Sequence, residues 1–266
     1  MTINMLKKSL QITTRYTDML KLYAALTIFL TIFLLMTITI YAVTDSLYIL
    51  LPALLLLALV ISFFDLAIPF FIGSRIKNKK RTAFQCLKFA WSKKRFVFTH
   101  SLLRLLLAPL KAIEYTFAPL GKLGSPIVRP FEFLLGSLWQ FSSSLTPSTV
   151  VFGKAKGIYS YRKTVLDTRK ARGRKIRLRN NFWFEIPIYL AQIALAGYLA
   201  VLSVSLSTFI FISVIILSIL IISATFSLFF IAKSTWYFAL YIFLVSNKKL
   251  PPFSKKDFLK GAVQRV

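Results

Sequence analysis

The sequence predicts an all-α, polytopic helical membrane protein, and three observations predict it. Its 266 residues are 57% hydrophobic, the apolar residues gather into long runs, and 35 Lys and Arg stand against 8 Asp and Glu, for a formal charge of +27. A water-soluble domain rarely combines so apolar a composition with so few acids. The runs read as membrane spans, and the charge belongs to the segments between them.

Four runs are long enough for a bilayer whose apolar core takes about 20 helical residues. They are 22–43, 47–72, 182–203 and 207–232. Lys7, Lys8 and Arg15 would suit a cleavable leader, but the run after them exceeds a leader's apolar core and is expected to stay as an anchor. Thr44-Asp45-Ser46 joins the first two runs and Val204-Ser205-Leu206 the last two, so each pair reads as a tight antiparallel hairpin.

The basic residues divide as 4 before the first run, 24 between Gly73 and Phe182, and 7 from Lys233 onward, with none in either short connection. By the positive-inside rule, both termini and the central region face the cytoplasm. Three parts follow: 1–73, a basic segment and a hairpin; 74–181, a basic region with two membrane-associated helices; and 182–266, a second hairpin, an interfacial helix and a basic tail. Tyr41, Tyr48, Trp183, Trp236 and Tyr237 lie near run ends, where amphipathic rings favour the headgroup layer.

Apolar residues resume after Lys233 and continue to Val245. A single helix from Ser207 to that point would measure ~58 Å, about twice the hydrocarbon thickness. A break near Lys233-Ser234 is therefore expected, with 236–245 lying in the interface.

Residues 96–152 are too apolar for a solvated loop and too punctuated by charge and proline for an obvious span. Pro119-Leu-Gly-Lys-Leu-Gly-Ser-Pro126 divides them into helical segments near 96–117 and 127–152. In the first, His100, Arg104, Lys111 and Glu114 recur at three-, four- and seven-residue spacing and so form a polar stripe. That stripe faces water if the helix lies in the interface, or a bundle interior if it spans or re-enters; Pro109 interrupts either version. The second segment suits the returning half of a re-entrant hairpin, with Glu132 paired to a cation of the first. Six membrane-embedded elements are expected, with four the alternative.

Arg81-Thr-Ala-Phe-Gln-Cys-Leu-Lys-Phe-Ala, and Leu135-Gly-Ser-Leu-Trp139 followed eight residues later by Pro147-Ser-Thr-Val-Val, resemble an uncharacterised family of six-helix prokaryotic membrane proteins. The likeness covers roughly the middle of the chain. It departs at Lys170-Ala-Arg-Gly-Arg-Lys-Ile-Arg-Leu-Arg179, where a more ordinary helix is expected. The family has no assigned activity, so the resemblance implies architecture alone.

Candidate chemistry is sparse. One cysteine, Cys86, and one histidine, His100, leave no set for an internal disulfide, a zinc site or an iron–sulfur cluster, and no cofactor is expected. Asp65 is the strongest single candidate, because in Ser62-Phe-Phe-Asp-Leu-Ala-Ile-Pro69 it sits ~10 Å inside its span by helical rise. A buried acid is costly without a partner, and topology offers Glu185 and Lys233 at a similar level. A salt bridge that sets helix register is the favoured role, with a proton or ion site the sharper alternative.

A second feature is the run of Lys154, Lys156, Arg162, Lys163, Arg169, Lys170, Arg172, Arg174, Lys175, Arg177 and Arg179, with Asp167 its only acid. Beside a bilayer, anionic lipids attract each such cation by ~1 kcal/mol. Tyr159 and Tyr161 are weak support for nucleic-acid binding, which is not favoured. Gly153-Lys-Ala-Lys-Gly157 has GxxxG spacing, but its lysines place it outside hydrocarbon. Ala196, Gly197 and Ala200 make the better packing surface, within the bundle or between protomers.

No phosphate-binding loop, nucleophile elbow or metalloprotease motif appears, and Glu114 and Glu132 are the one conceivable carboxylate pair of the middle region. The leading expectation is a non-enzymatic organising or accessory subunit, binding anionic membrane lipids or other membrane-protein subunits, or forming a homo-oligomer. The alternatives are a small transporter or channel using Asp65 and the polar stripe, and a membrane anchor for a nucleic-acid or ribosome-linked machine.

Overall fold

The apolar runs fold as helices, and polar residues at their ends decide where they stop. The computed structural model describes residues 3–117, 145–152, 164, 185–204, 207–246 and 250–254. Among the described residues every regular element is helical: α1 (Ile3–Arg15), α2 (Thr17–Thr44), a 3-10 turn (Leu47–Ile49), α3 (Leu50–Ile76), α4 (Ala83–Ser92), α5 (Lys94–Phe117), α6 (Glu185–Val204) and α7 (Thr208–Ser246), with a helical stretch at 145–152. Four of these, α2, α3, α6 and α7, are long and apolar enough to cross a membrane.

Local chemistry accounts for the ends. Asp45 takes the left-handed conformation (φ 47) after α2 and donates its backbone N–H to the Tyr41 carbonyl at 2.8 Å. Asn78 does the same after α3 (φ 56): its N–H reaches the Arg75 carbonyl, and the Lys79 N–H reaches the Ser74 carbonyl at 2.9 Å. That pair of bonds is a Schellman stop, with Asn in place of the usual Gly because its short polar side chain tolerates positive φ. Thr82 then opens α4 with a reciprocal capping box to Gln85. Before α7, the Ser207 hydroxyl accepts the Ile210 N–H at 3.2 Å.

The chain divides into two compact units, Met1–Ala53 with Asn180–Lys233, and Leu54–Arg179 with Ser234–Val266. In the first, Met19, Leu22, Leu26 and Leu30 form a buried stripe on α2 at three- and four-residue spacing. The second hairpin is formed: the Gln192 amide donates to the Thr225 hydroxyl at 2.7 Å, and Tyr189 meets the Phe226 and Phe229 rings. Outward faces are largely apolar, with Ile28, Ile32 and Met36 on α2, Leu190, Ile193 and Val201 on α6, and Phe209 and Ile212 on α7 all exposed. So much exposed hydrocarbon belongs against lipid, and the fold is that of a membrane protein. Gly197 lies on this outward side, where an added Cβ would meet nothing within 4 Å.

The second unit packs differently. Here α3 is buried from Ser62 to Ser74 except at Phe63 and Phe70, and α7 from Ser234 to Phe243 except at Tyr237. Phe71 and Phe238 are among the largest fully buried side chains. Gly73 permits the close approach: a Cβ there would come within 2.9 Å of the Phe152 ring and 3.3 Å of the Phe238 ring.

Several expectations are corrected. The break near Lys233-Ser234 does not occur; α7 is one helix of 39 residues. Residues 236–243 are not an interfacial strip with one wet face, because they are enclosed nearly all round, and a helix apolar on every side gains most from complete burial. Trp236 is correspondingly packed edge-on against Phe253 rather than exposed at a run end. Pro109 also fails to interrupt α5, which runs unbroken to Phe117.

A buried ion pair as candidate functional site

Three described polar side chains of the second unit, Arg104, Ser234 and His100, gather at Asp65. Asp65 is 7% exposed, on the part of α3 that is enclosed by protein. Arg104 of α5 donates from its guanidinium to Oδ2, and the Ser234 hydroxyl of α7 donates to Oδ1 at 2.7 Å. The Nε2 of His100 stands 4.0 Å from Oδ2, beyond hydrogen-bond length, and its ring stacks on Phe96 with centroids 5.2 Å apart. One helical turn separates His100 from Arg104, so both side chains leave α5 on the face turned to α3.

Neighbouring contacts set the register. Ser101, also buried, donates its hydroxyl to the Ala58 carbonyl of α3 at 3.1 Å and to the Val97 carbonyl of its own helix at 2.7 Å. Pro69 lies four residues after Asp65 inside α3, so it removes the N–H that would otherwise bond the Asp65 carbonyl. The Ser62 hydroxyl, one turn before Asp65, is buried with no hydrogen-bond partner. Asp65 therefore sits where α3 lacks one intrahelical hydrogen bond.

Chemically this is a compensated charge. Taking a carboxylate out of water costs several kcal/mol, roughly, and a hydrogen-bonded guanidinium offsets that cost when the geometry is direct. Each Asp65 oxygen accepts from a different helix, so one side chain links α3, α5 and α7. The arrangement fixes three helices in register.

Of the expected charge cluster, Asp65 is buried as anticipated, and its described contacts come from Arg104 and Ser234. Lys233 is half-buried one residue before Ser234, and Glu185 is the first residue of α6, its side chain outside the described residues. Of the polar stripe, His100 and Arg104 turn to Asp65. Lys111 and Glu114 belong to the α5 backbone with side chains outside the described residues, as is all of Glu132. Arg104 thus meets Asp65, where the sequence suggested Glu132 as acid for that helix. The basic run 154–179 also falls outside the described residues except Thr164, which is buried and donates its hydroxyl to Thr149 at 2.6 Å.

Sequence reasoning missed Ser234. A lone serine 169 residues from its partner carries no spacing signal, and the expected helix break at that point concealed it. No family model, curated protein or solved structure matches the chain.

Proposed function

We propose that the chain is a multi-pass, non-enzymatic membrane protein with both termini in the cytoplasm. On this reading it is an organising or accessory subunit whose basic side binds anionic lipid headgroups or a larger assembly. The observation that carries it is the placement of charge. Lys77, Lys79 and Lys80 stand exposed directly after a span-length helix, in a chain with 35 basic and 8 acidic residues. Anionic leaflets attract such juxtamembrane cations by ~1 kcal/mol each. The Asp65 pair then acts as a register lock, since its carboxylate oxygens are taken by groups of the same chain.

Native mass spectrometry of the full chain released from phosphatidylglycerol-containing membranes tests the lipid reading. Retained phosphatidylglycerol is expected, and replacing Lys170, Arg172, Arg174, Lys175 and Arg177 by Gln should reduce it severalfold; unchanged retention defeats the assignment to that run. Impermeant labelling on a Cys86→Ser background tests the topology, with Ser46→Cys and Ser205→Cys labelled only from outside. Outside labelling of Lys122→Cys supports six passes, the architecture that the family resemblance implies, and cytoplasmic labelling supports four.

A transporter using Asp65 is the second reading. The buried, unpartnered Ser62 hydroxyl one turn away and the carbonyl freed by Pro69 favour it, because both offer oxygen to a passing ion. Reconstituted flux abolished by Asp65→Asn in a protein that still folds would establish it over the register lock.

A further inference from the structure

α4 reverses the usual arrangement of a water-facing helix. Its buried residues, Cys86 and Ala90, are small and one turn apart, while Phe84 and Trp91 are 74% and 68% exposed. At the helical repeat, Phe84, Lys88 and Trp91 project within roughly 60° of one another, on the side opposite Cys86 and Ala90. Lys88, Lys94 and Arg95 are exposed alongside them, and Phe98 continues the outward aromatic series into α5.

Neither bulk water nor hydrocarbon suits such a strip. Water disfavours two large, adjacent, exposed rings, and hydrocarbon disfavours the three cations between and beside them. The headgroup layer accommodates both, because indole and phenyl rings settle near the acyl boundary while lysine and arginine reach the phosphates.

The level of the strip relative to α3 is set by packing. After the Asn78 stop the chain reverses, and α4 returns along α3 with Phe89 stacked on Phe70 at 3.8 Å and Trp91 edge-on to Phe63 at 6.5 Å. The opposite end of α3 is its lipid-suited part, where Leu51, Leu54 and Leu56 are exposed. Trp91 thus lies beside the middle of α3 and the start of α4 beside the end that Lys77, Lys79 and Lys80 follow, so the aromatic and cationic strip flanks the half of α3 next to those lysines.

We infer that α4 is a headgroup-binding helix for anionic phospholipid, with Phe84, Trp91 and Phe98 seated at the acyl boundary and Lys88, Lys94 and Arg95 on the phosphates. The inference deepens the lipid-binding reading above and rests on its membrane placement, but uses different residues.

The test is quenching of Trp91 fluorescence in the full chain reconstituted in phosphatidylcholine vesicles with and without phosphatidylglycerol. Subtracting the signal of Trp91→Phe isolates this tryptophan and leaves the buried Trp236 intact. Quenching by lipids brominated near the carbonyl end of the acyl chain is expected to exceed that by chain-end bromines at least twofold. Substituting Lys88→Glu, Lys94→Glu and Arg95→Glu together should raise aqueous iodide quenching of Trp91 in the phosphatidylglycerol vesicles. Strong iodide quenching of the wild type without lipid quenching, or strongest quenching by chain-end bromines, overturns the site; so does a triple variant indistinguishable from wild type. If Trp91 proves water-exposed while the chain still retains phosphatidylglycerol through 154–179, this site alone fails and the broader reading stands.

Discussion

The guanidinium of Arg104 on α5 closes on the carboxylate of Asp65 on α3, 39 residues earlier in the chain. Around it Ser234, His100 and Ser101 bring three helices into register. The contact ties together two features that the sequence presents separately, an acid inside a span and a polar stripe on a central helix.

Breaking the pair from the two sides should have unequal effects. Arg104 keeps 19% of its side chain exposed, whereas Asp65 keeps 9%. With Asp65→Ala the arginine can turn toward polar surroundings, but with Arg104→Ala the carboxylate stays enclosed without its main partner. Arg104→Ala is expected to cost about 3–5 kcal/mol and Asp65→Ala less. The double change Asp65→Leu/Arg104→Met should fall well short of the sum of the single losses. Unfolding in detergent, followed by denaturant titration, measures all three; additive losses would show that the two residues are not coupled.

The two described glycines of span-length helices should respond in opposite directions. Gly73→Val drives methyl groups into the Phe152 and Phe238 rings, a crowding expected to cost about 1–3 kcal/mol. Phe152→Ala in the same chain should recover part of it. Gly197→Ala meets open space and should be neutral or stabilising by up to about 1 kcal/mol through helix propensity. Thermal midpoints of the purified variants decide the matter, and a destabilised Gly197→Ala would indicate that a second copy packs on that face.

Continuity of α7 predicts intolerance to proline. Thr235→Pro removes an intrahelical hydrogen bond and clashes with the Ile231 carbonyl, at a cost of about 3 kcal/mol or more. Were the helix broken near Lys233, the substitution would be accommodated with little loss. Thermal unfolding beside a Thr235→Ala control distinguishes the two.

The capping box at the start of α4 should hold the helix that carries Phe84 and Trp91. Thr82→Ala removes the acceptor of the Gln85 N–H and is expected to cost about 1 kcal/mol. Amide hydrogen exchange should accelerate over 83–86 and remain unchanged in α6. Unaltered exchange in the first turn of α4 would show that packing against α3, rather than the cap, orders it.

The helical class and the four span-length helices were legible in the sequence because they rest on composition and run length, properties that each segment carries by itself. A stretch of twenty apolar residues leaves no alternative that satisfies its backbone in lipid. The shared face of His100 and Arg104 on α5 was legible too, since helical periodicity alone places them one turn apart. The partner of Asp65, the role of Ser234 and the uninterrupted course of α7 were decided only by tertiary structure. Each depends on which surface encloses a residue: Lys233-Ser234 reads as a break in hydrocarbon, yet a helix continues through it where 234–243 is enclosed within its own unit. Burial by neighbours distant in sequence chose among partners that local spacing left equivalent.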